Sequence, residues 1–212
     1  MTRLIEFNEL TDVSSSAFRD AMDIYTEAIP AAERQSIDAI TERISLGKER
    51  LYIGWAEGKV VFMALLFPLE DAPFVLLDYM AVKTAYRKGG IGSDFLKNIY
   101  RITGYKNELI LIEVEDPKSG LDKEAKQCRV YFYRKNGAKI LKNVRYLLPP
   151  LQGNSPTDML LLVLAKKQPV WLSGGAVKDA IRQIYRELYC RDEGDSLLRS
   201  FIDDVPQKVQ LG

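Results

Sequence analysis

FVLLDYMAVKTAYRKGGIGSDFLKNIYRI, residues 74–102, is the stretch whose reading decides the fold. Its first part, FVLLDYMAV (74–82), is apolar almost throughout, as expected of a strand central in a sheet. Its last part, SDFLKNIYRI (93–102), places Phe95, Ile99 and Ile102 at helical spacing, and the helix is expected to reach about Tyr105. Between them stands YRKGGIG (86–92), with glycines at 89, 90 and 92 directly after Arg87 and Lys88. The first N–H groups of a helix lack internal acceptors and carry partial positive charge. A glycine turn lets an oxyanion approach them closely, which makes an anion seat suited to phosphate or pyrophosphate. The spacing is R-x-x-G-x-G. It is neither the dinucleotide fingerprint GxGxxG nor the P-loop GxxxxGK[ST]. Taken alone, these residues leave two readings open, a surface turn and a phosphate seat.

Working outward, ELILIEVE (108–115) reads as the next strand, and the order strand–helix–strand implies a right-handed parallel crossover. DKEAKQCRVYFYRKN (122–136) reads as a helix closed by Gly137. AKILKNVRYLL (138–148) and DMLLLVLA (158–165) read as a final antiparallel pair around PPLQGNSPT. Upstream, RLIEF (3–7) reads as a short strand. SSSAFRDAMDIYTEAI (14–29) reads as a helix with the stripe Phe18, Met22, Tyr25 and Ile29, ended by Pro30. The loop PAAERQ leads to a second helix carrying Ile37, Ile40 and Ile44. LYIGWAE (51–57) and VVFMALLFPL (60–69) flank Gly58-Lys59, a hairpin signal. After KKQP (166–169) two helical patterns end the chain, Val177, Ile181, Ile184, Leu188 and then Leu197, Leu198, Phe201, Ile202, Val205. The expected class is α/β with a mixed, partly parallel sheet flanked by helices. Residues 1–167 form the main domain. Residues 168–212 form a two-helix extension, packed on the same domain or on a partner subunit.

The 212 residues are 47% hydrophobic and 28% charged, with 30 basic and 29 acidic side chains and a formal net charge of +1. That balance argues against a chain built to hold nucleic acid or an anionic membrane. The start MTRLIEFNEL lacks the apolar stretch of a signal peptide. The longest apolar runs, VVFMALLF and MLLLVLA, fall far short of a bilayer span. Cys128 and Cys190 are too few for a disulfide framework or a four-cysteine zinc site. Two free thiols in a reducing cytosol are expected, and no metal. The chain has no histidine. This excludes Ser-His-Asp and Cys-His catalysis and any HExxH site. Acid and base groups must come from Glu, Asp, Tyr, Lys or Cys, or from water.

YMAVKTAYRKGGIGSDFL resembles motif A of the GCN5-related N-acetyltransferases, the GNAT superfamily. VYFYRKNGAK (130–139) resembles the end of that family's motif B, of the type FYxKxGF, and LILIEVE (109–115) resembles the strand between them, LxLEV. The resemblance spans residues 1 to 167 and leaves out the tail. It implies direct acetyl transfer from acetyl-CoA to an amine. It places the pantetheine arm on the backbone of Met80, Ala81 and Val82, and the pyrophosphate on Arg87, Lys88, Gly89, Gly90, Ile91 and Gly92, with Ser93 near. Tyr133 matches the tyrosine that serves as acid toward the leaving thiolate; its other reading is a core aromatic. Glu113 matches a glutamate that serves as base in some members. It also interrupts an apolar strand near the end where ligand crevices open in parallel sheets, and a carboxylate there must be hydrated, paired or functional. A structural hydrogen bond to a neighbouring loop is the competing reading. Glu115 and Asp78 are weaker candidates. Two departures stand out. No asparagine follows the LxLEV strand, which runs on into Glu115-Asp116-Pro117-Lys118-Ser119, and Ala138 replaces the phenylalanine of GF.

In this fold the acceptor site is bordered by PAAERQ (30–35) and YLLPPLQGNSPT (146–157). Glu33 suits a cationic amine and Arg34 a carboxylate, and each also reads as a solvated loop charge. Modest loops and near-neutral charge fit a small amine better than a protein tail. Three rivals remain: acetylation of a protein amine, a non-catalytic acyl-CoA sensor, and an unrelated binder of NAD or ATP. The extension is expected to shape the acceptor pocket or to make a homodimer.

Overall fold

The computed structural model describes residues 5–106, 108–151 and 155–212. Arg3 and Leu4 of the expected first strand, and Gln152, Gly153 and Asn154 of the expected acceptor loop, lie outside the described residues. The chain divides into two compact units, residues 1–68 with 77–106, and residues 69–76 with 107–212.

In the first unit, β1 (Glu6–Leu10) leads to α1 (Ser16–Ala28) and α2 (Ile37–Ser45). Both helices start as their sequences dictate. The Ser15 hydroxyl accepts the N–H of Phe18 and the Ser36 hydroxyl that of Ala39, each at 3.2 Å, satisfying an orphan donor of the first turn. Phe18, Met22 and Tyr25 bury one face of α1, with Ala21 and Ile24 beside them. On α2 it is Ile40 and Ile44 that are buried, whereas Ile37 stays exposed in the first turn. The strands β2 (Arg50–Ala56) and β3 (Lys59–Pro68) form the expected hairpin. Its turn residues are Glu57 and Gly58, one position earlier than the sequence suggested. Ala56 pairs with Lys59, and φ is 52° at Glu57 and 73° at Gly58. Two consecutive positive φ values are the signature of a type I′ turn, whose twist matches that of the strands. β4 spans Phe74–Val82, of which residues 77–82 fall in this unit, and α3 spans Ile91–Thr103. Phe95 of α3 is fully buried, its ring centroid 4.7 Å from Phe62 and 5.4 Å from Phe7. Gly104, at φ 76°, ends the helix in the left-handed cap that glycine favours.

In the second unit, β5 (Leu109–Glu115) pairs antiparallel with β8 (Thr157–Leu164). Between them come α4 (Lys123–Lys135), β6 (Lys139–Ile140) and β7 (Tyr146–Leu148), both strands also lying on β8. The single strand expected over 138–148 is therefore broken. Leu141 still donates its N–H to Leu161 O of β8 at 2.9 Å and also bridges to Leu211; the chain then leaves β8, and Asn143 adopts φ 60° before β7 rejoins. The whole sheet is mixed, in the order β1-β2-β3-β4-β5-β8-β6 with β7 on β8; β4 and β5 run parallel and the other pairs antiparallel. This is the α/β class the sequence implies.

Residues 168–212 pack within the second unit. They contain α5 (Gly174–Glu187), the four-residue α6 (Ser196–Arg199) and a 3-10 turn at Ile202–Asp204, which together hold the two helical patterns. A ribbon that the sequence did not suggest accompanies them, β9 (Trp171–Ser173) paired with β10 (Lys208–Gln210). Tyr146, Tyr185 and Phe201 are fully buried, with ring centroids 5.9–6.3 Å apart. The Tyr185 hydroxyl donates to the Leu147 carbonyl, tying α5 to β7. At the ribbon's mouth Gly174 donates its N–H to Gln207 O at 2.8 Å, and a Cβ on Gly174 would lie 2.0 Å from Pro206 O. Backbone on both sides cannot retreat as a flexible side chain can. Gly174→Ala is therefore expected to destabilise by about 3 kcal/mol or more, lowering Tm by roughly 6–12 °C in a thermal melt. A melt within 2 °C of the parent protein would show that the ribbon yields.

Candidate active site

The glycine loop lies in the first unit. Met80 and Val82 at the end of β4 are half-buried and Ala81 is buried. The Lys83 N–H donates to Val61 O at 2.9 Å, and a 3-10 turn follows at Thr84–Tyr86. Arg87 leaves that turn in extended conformation and folds back, its Nε donating to the Val82 carbonyl at 3.1 Å. This holds the guanidinium beside the loop and occupies one lone pair of Val82. Lys88 takes φ 66° and Gly90 φ 83°. Gly90 is the N-cap of α3 and offers no side-chain acceptor to the first turn. The first backbone bond of the helix runs from the Asp94 N–H to Gly90 O at 2.9 Å. The N–H groups of Ile91, Gly92 and Ser93 thus stand ahead of the hydrogen-bond ladder, as at any helix start. A Cβ on Gly90 would meet no protein atom within 4 Å; there is open space in front of it. Lys83, Arg87 and Lys88 are exposed around this turn. Glu27 opposes them: it accepts the Thr84 N–H at 3.2 Å, and its bond with Thr84 holds its carboxyl below the usual range. The residues expected to hold pyrophosphate are therefore contiguous, basic and built around an open helix start.

Glu113 and Tyr133 lie in the second unit. Glu113 projects from β5, opposite Leu161 of β8. One carboxylate oxygen accepts the Tyr146 hydroxyl; the other accepts the Tyr189 hydroxyl at 2.9 Å. Burial pushes the carboxyl above its ordinary pKa of 4.5, and both tyrosine donors pull the other way. Tyr133 lies near the end of α4, half-buried, its ring edge-on to Phe132 at 5.2 Å. Burial pushes its hydroxyl up to about 12, and Arg129 moderates this. Tyr25, Tyr52, Tyr79, Tyr146, Tyr185 and Tyr189 all direct their hydroxyls at protein acceptors. The Tyr133 hydroxyl has no hydrogen-bond partner among the described residues. The hydroxyl is not among the buried unsatisfied atoms, so it is open to water and free to donate to a ligand.

The other expected residues lie in structural contacts. Glu115 is engaged by Lys126 at 3.2 Å and by Arg129. Asp78 accepts from Gln35 at 3.3 Å and sits 3.9 Å from Arg43, which pairs with the buried Glu49 at 2.9 Å. Burial pushes the Glu49 carboxyl up and Arg43 opposes the shift. The loop 30–36 is fastened by Tyr79 donating to Glu33 O and Tyr25 to Gln35 O, and Arg34 donates to Ile29 O at 2.7 Å. Both cysteines are free and exposed. Among the described residues no group of His, Cys, Asp and Glu could hold a metal ion, and no helix is long and apolar enough to cross a membrane. Tyr146 and Tyr189 escaped the sequence reading. Their one local trace is the i, i+4 spacing of Tyr185 and Tyr189 at the end of a helical stripe.

By sequence, no family model and no curated protein matches the chain. Solved structures do match its fold. A Bacteroides thetaiotaomicron protein described as an acetyltransferase from the GNAT family is 18% identical and covers 88% of this chain and 99% of its own, with a TM-score of 0.73. A Bacillus subtilis acetyltransferase solved in complex with CoA is 19% identical, covering 78% of this chain and 99% of its own at a TM-score of 0.53. The ribosomal-protein-S18-alanine N-acetyltransferase of Escherichia coli is 15% identical, covering 78% and 96% at a TM-score of 0.56. The chain has the GNAT fold.

Proposed function

We propose that the chain belongs to the GNAT superfamily and is an acetyl-CoA-dependent N-acetyltransferase whose acceptor is the primary amine of a small molecule. The observation that carries this reading is the open start of α3, where Gly90 at φ 83° leaves space beside unladdered N–H groups and basic side chains. The likeness of fold to acetyltransferases, one of them solved with CoA, supports the same donor. The Arg87 N–H is taken by Thr84 O at 3.2 Å, so pyrophosphate binds the N–H groups from Lys88 to Gly92, with Ser93 near and the Arg87 guanidinium beside them, and the pantetheine arm follows the backbone of Met80, Ala81 and Val82. The amine nitrogen attacks the thioester carbon. A C–N bond forms, the C–S bond breaks, and the electron pair leaves on sulfur. Glu113 takes the proton from nitrogen, and the Tyr133 hydroxyl supports the thiolate. No metal is required. The domain boundary near residue 167 and a cytoplasmic setting belong to the same proposal.

A thermal-shift comparison tests the donor. Acetyl-CoA and CoA are expected to raise Tm, with NAD and ATP giving no comparable shift. Gly90→Ala introduces a side chain into left-handed backbone at a cost of about 1–2 kcal/mol, a fall of several degrees in Tm. Its affinity for CoA is expected to drop at least about tenfold, because the Cβ enters the space beside the seat. Unchanged CoA affinity in that protein, or no shift with CoA compounds in the parent, overturns the seat. An acceptor screen read by thiol release then separates small amines from peptide amines. Tight acetyl-CoA binding with no thiol release from any amine would favour the sensor.

A further inference from the structure

We propose that Tyr189 is a positioning residue for Glu113, so that the C-terminal extension is a working part of the catalytic centre rather than an appendage. This rests on Glu113 being the base. A carboxylate on a strand retains rotational freedom at its end. Here both oxygens are held, one by Tyr146 of β7 and the other by Tyr189, two residues past α5. The two donors reach Glu113 from different elements, and they fix the carboxylate plane. Each oxygen keeps a lone pair, so the group remains able to accept a proton from an amine. Tyr189 is itself held, its ring edge-on to the fully buried Tyr185 at 5.9 Å. Tyr185 in turn is anchored to β7 through Leu147 O. The extension thus carries one rigid line of aromatic rings from the core to the carboxylate.

The surrounding groups leave these two hydroxyls as the local control. On β8 the residue opposite is Leu161. Two positions along β5, Glu115 is already neutralised by Lys126 and Arg129 of α4. Arg191 and Asp195, just beyond Tyr189, pair with each other at 2.7 Å, and Tyr185 feels Glu113 only through space. A hydroxyl that donates to a carboxylate favours its charged form. Removing one must therefore raise the pKa at which Glu113 becomes a base.

Tyr189→Phe keeps the ring and deletes the donor. Two readouts on the full chain test it. One is the acid limb of kcat/KM against pH. The other is the carboxyl titration of Glu113 by carbon NMR on glutamate-labelled protein, the signal identified by its loss in Glu113→Gln. Both are expected to move up by about one pH unit, with Tm within a few degrees of the parent. Tyr185→Phe, which loses only the bond to Leu147, is expected to lower Tm and move neither. If the NMR titration moves and the acid limb does not, Glu113 is not the base, and the inference falls with that reading. If neither moves, or if Tyr185→Phe moves both equally, Tyr189 has only a structural role. The base reading then still stands or falls on Glu113→Gln alone.

Discussion

Tyr133→Phe is expected to lower kcat by about 10²–10³ and to leave the affinity for acetyl-CoA within about threefold. The reason lies in the state of its hydroxyl. At a pKa of about 12 it is protonated at every working pH. Full proton transfer to a thiolate with a parent pKa near ~8.5 is uphill by roughly 3.5 units, or about 5 kcal/mol. The hydroxyl therefore acts as a fixed hydrogen-bond donor to sulfur while charge develops there; it gives up its proton only as the thiol departs and takes one back from solvent, to which Glu113 returns the amine proton. A preorganised donor of this kind favours the transition state over the bound thioester, so its loss falls on kcat and not on binding. Stability supplies an independent readout. The hydroxyl lacks a protein partner and is open to water, so deleting it breaks no internal hydrogen bond and should leave Tm unchanged within about a degree or two. A core aromatic would behave otherwise: Phe at 133 would leave kcat unchanged. That result would assign Tyr133 to packing and leave the thiolate to solvent.

The loop YRKGGIG could be read in advance because its properties are local. Glycines at 89, 90 and 92 between a strand and a helical stripe mark an open helix start; of the three only Gly90 is left-handed, at φ 83°, and the other left-handed step falls on Lys88. The bounds of β4 match the apolar run 74–82 for the same reason. The hairpin was displaced by one residue because Glu57 takes φ 52°, a conformation sequence rules reserve for Gly, Asn and Asp. Where a structure depends on partners distant in sequence, no pattern announced it. Leu141 bridges to Leu211, and the ribbon joins Trp171–Ser173 to Lys208–Gln210. The same holds at the carboxylate. Sequence could place Glu113 on a strand and ask what holds it. The answer, Tyr189, comes from 76 residues away, on a segment beyond the GNAT resemblance.

Glu113→Gln is expected to lower kcat/KM at pH 7 by about 10²–10⁴, and the deficit should shrink as pH rises. A primary amine near a pKa of ~10 loses its own proton at high pH and then needs a base less. The parent enzyme should lose activity on acidification through a limb above the ordinary carboxylate range, because burial raises the Glu113 pKa despite its two tyrosine donors. That limb should be absent in the variant. Stability gives the complementary sign. A carboxyl whose folded pKa is raised contributes stability that is fully present below its unfolded value of 4.5 and is lost as pH rises through the folded value. Glutamine carries no such proton, so the Tm of Glu113→Gln should exceed that of the parent increasingly from about pH 4.5 upward. Glutamine also keeps an acceptor for one tyrosine and a donor for the other, whose hydroxyl can turn to receive it. Activity and stability are therefore expected to move in opposite directions at neutral pH. A structural lock predicts that they fall together, and parallel losses of Tm and kcat/KM would return Glu113 to the fold and pass the amine proton to water.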